Sequence, residues 1–308
     1  MVIKVIKPPT FTVNQPLLWK EYLEKYGFVV LEEIISENDA EKAINMFKKE
    51  FNSVSPSFDW EDKKTWICKN APIVWNKGSV VFNGFGQSNT IWFLRLHTLV
   101  KNAFAEVYDT TELATSFDGL ALNVSESQKS TSWLHQDQRE SDKRKSIQGI
   151  LNLLPCNVKD AGFICVPKSH TEYSAPDQNT DWVMLPKDSE YQTKAVKLIT
   201  PARSLILFNS KLIHANQGMS KKHPKKVHLN RLSAYITFVP KSRQSEEVRK
   251  QRISGYLNKH TTSHWADRHE PKKIPFHIQS KFKNSGFNDL EPLLNENKDI
   301  PEDRLAII

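Results

Sequence analysis

The sequence lacks any uninterrupted run of 18 apolar residues, so no stretch of it is suited to cross a bilayer as a helix. Its opening residues, Met1-Val2-Ile3-Lys4-Val5-Ile6-Lys7-Pro8-Pro9, offer neither the apolar block nor the small-residue cleavage site of a secretory signal. A cytoplasmic protein with no membrane partner is the expectation. Cysteine is also sparse: Cys68, Cys156 and Cys165 form no C-x-x-C pair and, being three, cannot all be bridged. A disulfide scaffold is therefore not expected, and the thiols should be reduced and mostly buried.

What the chain does have is apolar volume and positive charge. Its 308 residues are 39% hydrophobic with 8 Trp and 16 Phe, ample for the core of one elaborated domain. The formal net charge of +8 suits either an acidic ligand or merely a basic surface. Leu18, Tyr22 and Tyr26, spaced four apart after Pro16, predict a helix that Gly27 stops. Phe28-Val29-Val30-Leu31 reads as a buried strand, and Ser36 as the cap of a helix carrying Ala40, Ile44, Phe47 and Phe51 on one face. Residues 53–90 mix turn residues with Trp60, Trp66, Trp75 and Phe82 and read as loops over a pocket mouth. A further helix is expected from Thr90 through Val107.

From about Leu113 the period changes to that of strands, with clear runs at 147–154, 163–166, 195–199, 204–209 and 231–238. The rhythm is that of a β-sandwich or barrel of jelly-roll type, mainly β with flanking helices. Residues 1–112 are assigned to helical support and mouth loops, 113–240 to the jelly-roll core, and 241–308 to a helical and irregular C-terminal appendage.

The chemistry concentrates in Trp133-Leu134-His135-Gln136-Asp137. On a strand, residues two apart face the same way, so His135 and Asp137 can reach one ion. His214 follows the apolar strand 204–209 and completes two His and one carboxylate, the ligand set of a facial-triad Fe(II) site. Arg231 and Ser233 share a strand face, where a guanidinium fork and a hydroxyl suit a distal carboxylate. Trp133, by alternation, shares the face of His135 and can line a pocket, and Gln136 flanks the pair.

Through these residues, with Gly162-Phe163-Ile164-Cys165-Val166-Pro167-Lys168-Ser169-His170, the chain resembles the phytanoyl-CoA dioxygenase family of Fe(II)/2-oxoglutarate oxygenases over roughly residues 20–240. Two departures stand out. The family's Pro-Gly-Ser-His turn carries Lys168 in place of glycine, and a lysine-rich insertion, Lys221 to Lys226, lengthens the path from His214 to Arg231. The resemblance implies a double-stranded β-helix (jelly-roll, cupin-like) core, Fe(II) on His135, Asp137 and His214, 2-oxoglutarate as co-substrate on Arg231 and Ser233, O2 as oxidant, and succinate and CO2 as co-products. It also makes Asn123 a candidate co-substrate contact and Trp133 and Gln136 candidate substrate contacts. Retention of Asp137 implies hydroxylation rather than halogenation. The substrate expected is a small organic molecule, with an anionic one a candidate on grounds of charge and of the 221–226 loop, whose plain reading is a solvated turn.

Three alternatives stay open: an oxygenase that modifies nucleic acid or nucleotides, a binding protein without turnover on the same fold, and a zinc jelly-roll enzyme. His223, His228 and His260 lie among basic residues and are not expected to ligate a metal. His170 is expected to brace its turn. The sequence does not fix the oligomeric state.

Overall fold

Gly27 ends the first helix. In the computed structural model, which describes residues 3–71, 74, 78–125, 127–128, 133–176, 179–273, 280 and 299–308, α1 spans Pro16–Tyr26. Gly27 then takes φ 80°, the left-handed conformation that costs a residue without Cβ nothing, and its N–H closes on Leu23 O at 2.8 Å. Helix α2 (Glu37–Val54) starts where Ser36 Oγ accepts the Asp39 N–H at 3.0 Å. The helix expected from Thr90 is two helices, α3 (Asn89–Arg95) and α4 (Thr98–Tyr108), because His97 is extended at φ −62° and ψ 128°. Ser88 caps α3, and the Glu50 carboxylate takes the exposed N–H groups of Asn89 and Thr90 at 2.6 and 3.2 Å.

The strands in chain order are β1 (Lys4–Ile6), β2 (Thr10–Phe11), β3 (Phe28–Leu31), β4 (Ser79–Val80), β5 (Leu113–Thr115), β6 (Leu120–Ser125), β7 (His135–Gln136) and β8 (Ile147–Asn152). They continue as β9 (Gly162–Cys165), β10 (Val183–Met184), β11 (Val196–Leu198), β12 (Ser204–Asn209), β13 (His214–Gln217), β14 (Val227–Tyr235) and β15 (Phe238–Pro240). One sheet has the order β1-β11-β9-β13-β7-β10, a second the order β2-β3-β12-β8-β14-β6-β4, and β15 pairs with β5. This is the sheet-rich jelly-roll architecture with flanking helices. The first 31 residues contribute to both sheets, β1 parallel to β11 and β3 antiparallel to β12.

Alternation along β12 shows how the layers form. Leu205 and Leu207 join the large core built on α2, α3 and α4, while Ile206 and Phe208 turn inward with Phe163 and Leu212. The same rule sends Leu232 and Ala234 of β14 to the helical core and leaves Arg231, Ser233 and Tyr235 on the inner face. Trp60 and Trp66 pack with Phe47, Phe51 and Phe58 rather than over a mouth; Trp75 lies outside the described residues.

Beyond β15 the helix Glu246–Leu257 buries Arg252 completely. Arg252 donates to the carbonyls of Ile308 at 3.1 Å, Arg268 at 3.2 Å and Thr115. The chain then runs back along the barrel as a strap. Thr261 Oγ1 accepts the Gly86 N–H at 3.0 Å and the Thr262 N–H reaches Phe117 O at 2.9 Å. Among the described residues, no helix is long and apolar enough to cross a membrane.

Candidate metal centre

Two neighbouring strands bring the centre together. His135 on β7 is directly opposite His214 on β13, and Asp137 follows two residues after His135, its N–H held by Ser210 O at 2.8 Å. His135 Nε2 lies 3.3 Å from Asp137 Oδ1, and His214 Nε2 lies 3.3 Å from Asp137 Oδ2. The three donor atoms fall within 4.8 Å of one another. Ligand bonds of about 2.1 Å at right angles would set donors about 3.0 Å apart, close to these separations.

The protonation pattern fits a cation. His135 Nδ1 lies 2.9 Å from Trp133 O, and His214 Nδ1 lies 2.8 Å from Leu212 O. A carbonyl can only accept, so each Nδ1 carries the proton and each Nε2 presents a lone pair toward Asp137. Burial pushes the His135 imidazole below its ordinary value and so favours its neutral form. Burial by itself would raise Asp137, but the charge and hydrogen bonds that a protonated neighbouring ring would supply outweigh it and hold the carboxyl well below the usual carboxylate range, so Asp137 stays an anion beside the neutral rings. Gln148 Nε2 donates to Asp137 Oδ2 at 3.0 Å and to Ser210 Oγ at 3.1 Å, fixing the carboxylate's orientation. Fe(II) suits such a donor set, with His135, Asp137 and His214 as the residues to hold it.

A second group fails the same test. His223 and His228, unexpected as ligands from their basic surroundings, come together on Asp160, with Nε2 atoms 3.1 and 3.8 Å from Oδ1. The Lys225 N–H, however, donates to His223 Nδ1 at 2.9 Å. That places the neutral ring's proton on Nε2, where it hydrogen-bonds to Asp160 and leaves no lone pair for a cation.

Other predicted residues fall in three places. Trp133 lies parallel to His135, ring centroids 4.2 Å apart with planes 4° from coplanar, and lines a cavity of about 440 Å³ beside the centre. Arg231, Ser233 and Asn123 sit off the cavity wall, along the inner faces of β14 and β6, where Arg231 pairs with Asn123 across the strands. Arg231 Nε donates to Ser233 Oγ at 3.3 Å, which in turn donates to Asn152 Oδ1 at 2.8 Å. Arg231 Nη2 is buried without a hydrogen-bond partner. Gln136 is a correction: alternation turns it away from His135, its Nε2 bonds the Lys211 carbonyl, and it does not line the cavity.

The lysine loop is likewise displaced from its expected place near the mouth. None of Lys221 to Lys226 lines the cavity, and the loop packs on Asp160 through His223. Lys168 adopts φ 70°, so lysine takes up the left-handed turn that glycine would enter freely. The turn is braced by Ser169 Oγ, which accepts the Ile213 N–H at 2.8 Å, and by His170 Nε2 at 2.8 Å from Glu24 O.

Several cavity residues went unnoticed in the sequence. Gln148 and Tyr235 could have been found by alternation along their strands, and Tyr235 Oη accepts from Asn216 Nδ2 at 3.1 Å. Trp182, His264, Trp265 and Arg268 also line the cavity, brought from the 179–182 segment and the C-terminal strap, and no local pattern marks them.

No family model matches the chain. Over 149 residues it is 27% identical to Ava biosynthesis cluster protein O of Aspergillus versicolor, a match covering 47% of this chain and 48% of that protein. The chain thus spans about half the length of that curated relative. Among solved structures it is similar to the epimerase SnoN in complex with Fe3+, alpha ketoglutarate and nogalamycin RO, with TM-score 0.51, 12% identity, and coverage of 74% of this chain and 86% of that one. The non-heme alpha ketoglutarate dependent carbocyclase SnoK gives TM-score 0.51 and 11% identity over 76% and 90% of the two chains. AviO1 from Streptomyces viridochromogenes Tue57 gives 0.50 and 11% over 74% and 96%. At these identities the likeness is one of fold: the chain is built on the jelly roll that SnoN and SnoK also use.

Proposed function

We propose that the chain is an Fe(II)- and 2-oxoglutarate-dependent oxygenase that hydroxylates a C–H bond of a small organic substrate. The observation that carries this reading is the pair of imidazoles whose Nδ1 protons are tied to carbonyls while both Nε2 atoms converge on one carboxylate. When bound, Fe(II) with 2-oxoglutarate and O2 supplies the oxidant for an unactivated C–H bond, with succinate and CO2 as co-products. The chain's own residues do the rest. Gln148 aims Asp137, and the buried Arg231 Nη2, with Ser233 beside it, is the group suited to a dicarboxylate's far end. Leaving that guanidinium nitrogen unpaired costs about 1–3 kcal/mol, which a carboxylate would recover.

Kinship with the phytanoyl-CoA dioxygenases remains our reading from the motif order. SnoN and SnoK are named as an epimerase and a carbocyclase, so epimerisation or ring closure is the second reading: both can start from the same removal of hydrogen. A nucleic-acid target is less well supported, since Trp60 and Trp66 pack inward instead of lining a basic surface.

The test needs no substrate. Fe(II) and then 2-oxoglutarate, added without oxygen, should produce the visible charge-transfer band of the chelate. The band should vanish in His214→Ala and weaken in Arg231→Ala. Iron bound with no band in the unaltered protein would sink the 2-oxoglutarate assignment in favour of a zinc or binding role.

A further inference from the structure

We infer that the substrate of this centre is a flat aromatic molecule without an anionic group, seated against Trp133 and Trp182 and held at its polar edge by His264 of the C-terminal strap. The inference rests on the oxygenase reading only for the word substrate; the binding it describes stands on the cavity itself.

Aromatic surface is concentrated beside the metal group. Three of the chain's 8 Trp, at 133, 182 and 265, line this one cavity. Trp133 backs onto His135, and the Trp182 ring lies 6.2 Å from Trp133 and 5.8 Å from His135, tilted by 40° and 44°. Trp182 is 45% exposed, so part of its ring is open for a ligand to cover. Ile150, Phe163 and Phe208 provide the apolar floor. Such walls reward a planar ring that can stack or meet their edges.

Charge on the wall favours a substrate without an anionic group over the anionic one that the net charge also suits. The lining carries Asp118, Asp137, Asp181 and Glu270 against Arg268 and Lys272. Both cations are committed, Arg268 to Asp181 and Lys272 to Asp118 at 2.9 Å. Beyond the co-substrate carboxylate that the cation itself would attract, a further carboxylate or phosphate on a substrate would have to break an existing ion pair and face Asp118, Asp181 and Glu270.

His264 supplies the polar contact. It lines the same cavity as His135, Asp137 and His214, which places it near the metal group. Its Nε2 is shut off from solvent and has no hydrogen-bond partner. A buried ring nitrogen left this way is costly, and a small rotation of the half-buried His264 ring would bring it to a ligand hydroxyl, carbonyl or ring N–H. The strap is fixed in place by the Arg268 and Lys272 ion pairs and by Arg144, which reaches Asp267 at 2.7 Å. His264 is therefore held in the cavity wall.

The test is calorimetric titration with 2-naphthol, 2-naphthoate and decahydro-2-naphthol, using protein loaded with Mn(II) and 2-oxoglutarate without oxygen, and again metal-free protein. We expect 2-naphthol to bind about tenfold or more tightly than either comparison compound, in both forms. Trp182→Leu should erase most of the preference over the saturated alcohol. His264→Ala should weaken 2-naphthol about tenfold, and His264→Asn should restore part of it. Naphthoate binding as tightly as naphthol, or a saturated ring binding as tightly as an aromatic one, would overturn the inference without any variant having to fold. If the preference holds while the Fe(II)·2-oxoglutarate band is absent, the oxygenase reading fails and the aromatic site stands.

Discussion

His135 and His223 differ in one hydrogen bond, and that bond decides what each can hold. The Trp133 carbonyl keeps the proton of His135 on Nδ1, whereas the Lys225 N–H forces the proton of His223 onto Nε2. Anaerobic titration with Mn(II) should therefore find one equivalent bound rather than two. His223→Ala should leave that stoichiometry at one, and His214→Ala should abolish it; two equivalents in the unaltered protein would contradict the tautomer argument. At this scale the sequence was readable wherever partners were two residues apart, as with His135 and Asp137 or Arg231 and Ser233. Gln136 was misread because the same alternation turns it away from the ion. His264, Trp182 and Asp160 were hidden because their neighbours arrive from distant parts of the chain.

Among the elements, turns and caps were legible and interruptions were not. Gly27 announced the end of α1, yet nothing between Thr90 and Val107 announces a break, since α3 and α4 feed the same core and keep one apolar rhythm. The Lys168 turn gives a direct check. A left-handed non-glycine residue costs about 1–2 kcal/mol, and glycine returns about 0.5–1 kcal/mol of that as unfolded-chain entropy. Lys168→Gly should thus stabilise the protein by about 0.5–1 kcal/mol, visible as a higher urea midpoint with unchanged slope. The strap carries a pH dependence of its own. Burial, with help from the charges of His260 and Arg252, pushes His269 down to about 4. Between about pH 6.5 and about pH 4 the unfolded chain binds more protons there than the folded one, so stability is full above that window and falls as the solution is acidified through it. His269→Gln should flatten part of the fall in urea midpoint from about pH 7 to about pH 5, and an unchanged profile would remove His269 as a contributor.

For the whole molecule, the strand rhythm was enough to predict a β-sandwich or barrel, because alternation reports burial on one face and needs no knowledge of pairing, and the motif resemblance narrowed it to a jelly roll. Phe28–Leu31 was legible as a buried strand, but sheet order, the entry of β1 and β2, and the return of the C-terminal strap depend on long-range packing and left no local mark. The topology has a mechanical consequence. His135 and His214 belong to one sheet, Arg231 and Ser233 to the other, so a dicarboxylate gripped at both ends would act as a rivet across the seam between them. Each ligand that fastens only the folded state adds about 2.7 kcal/mol at a hundredfold excess over its dissociation constant. Melting curves should then rise in two steps, one on adding Mn(II) and a second on adding 2-oxoglutarate. Arg231→Ala should keep the first step and lose the second, while a second step that survives would mean the two halves of the barrel are not fastened through that arginine.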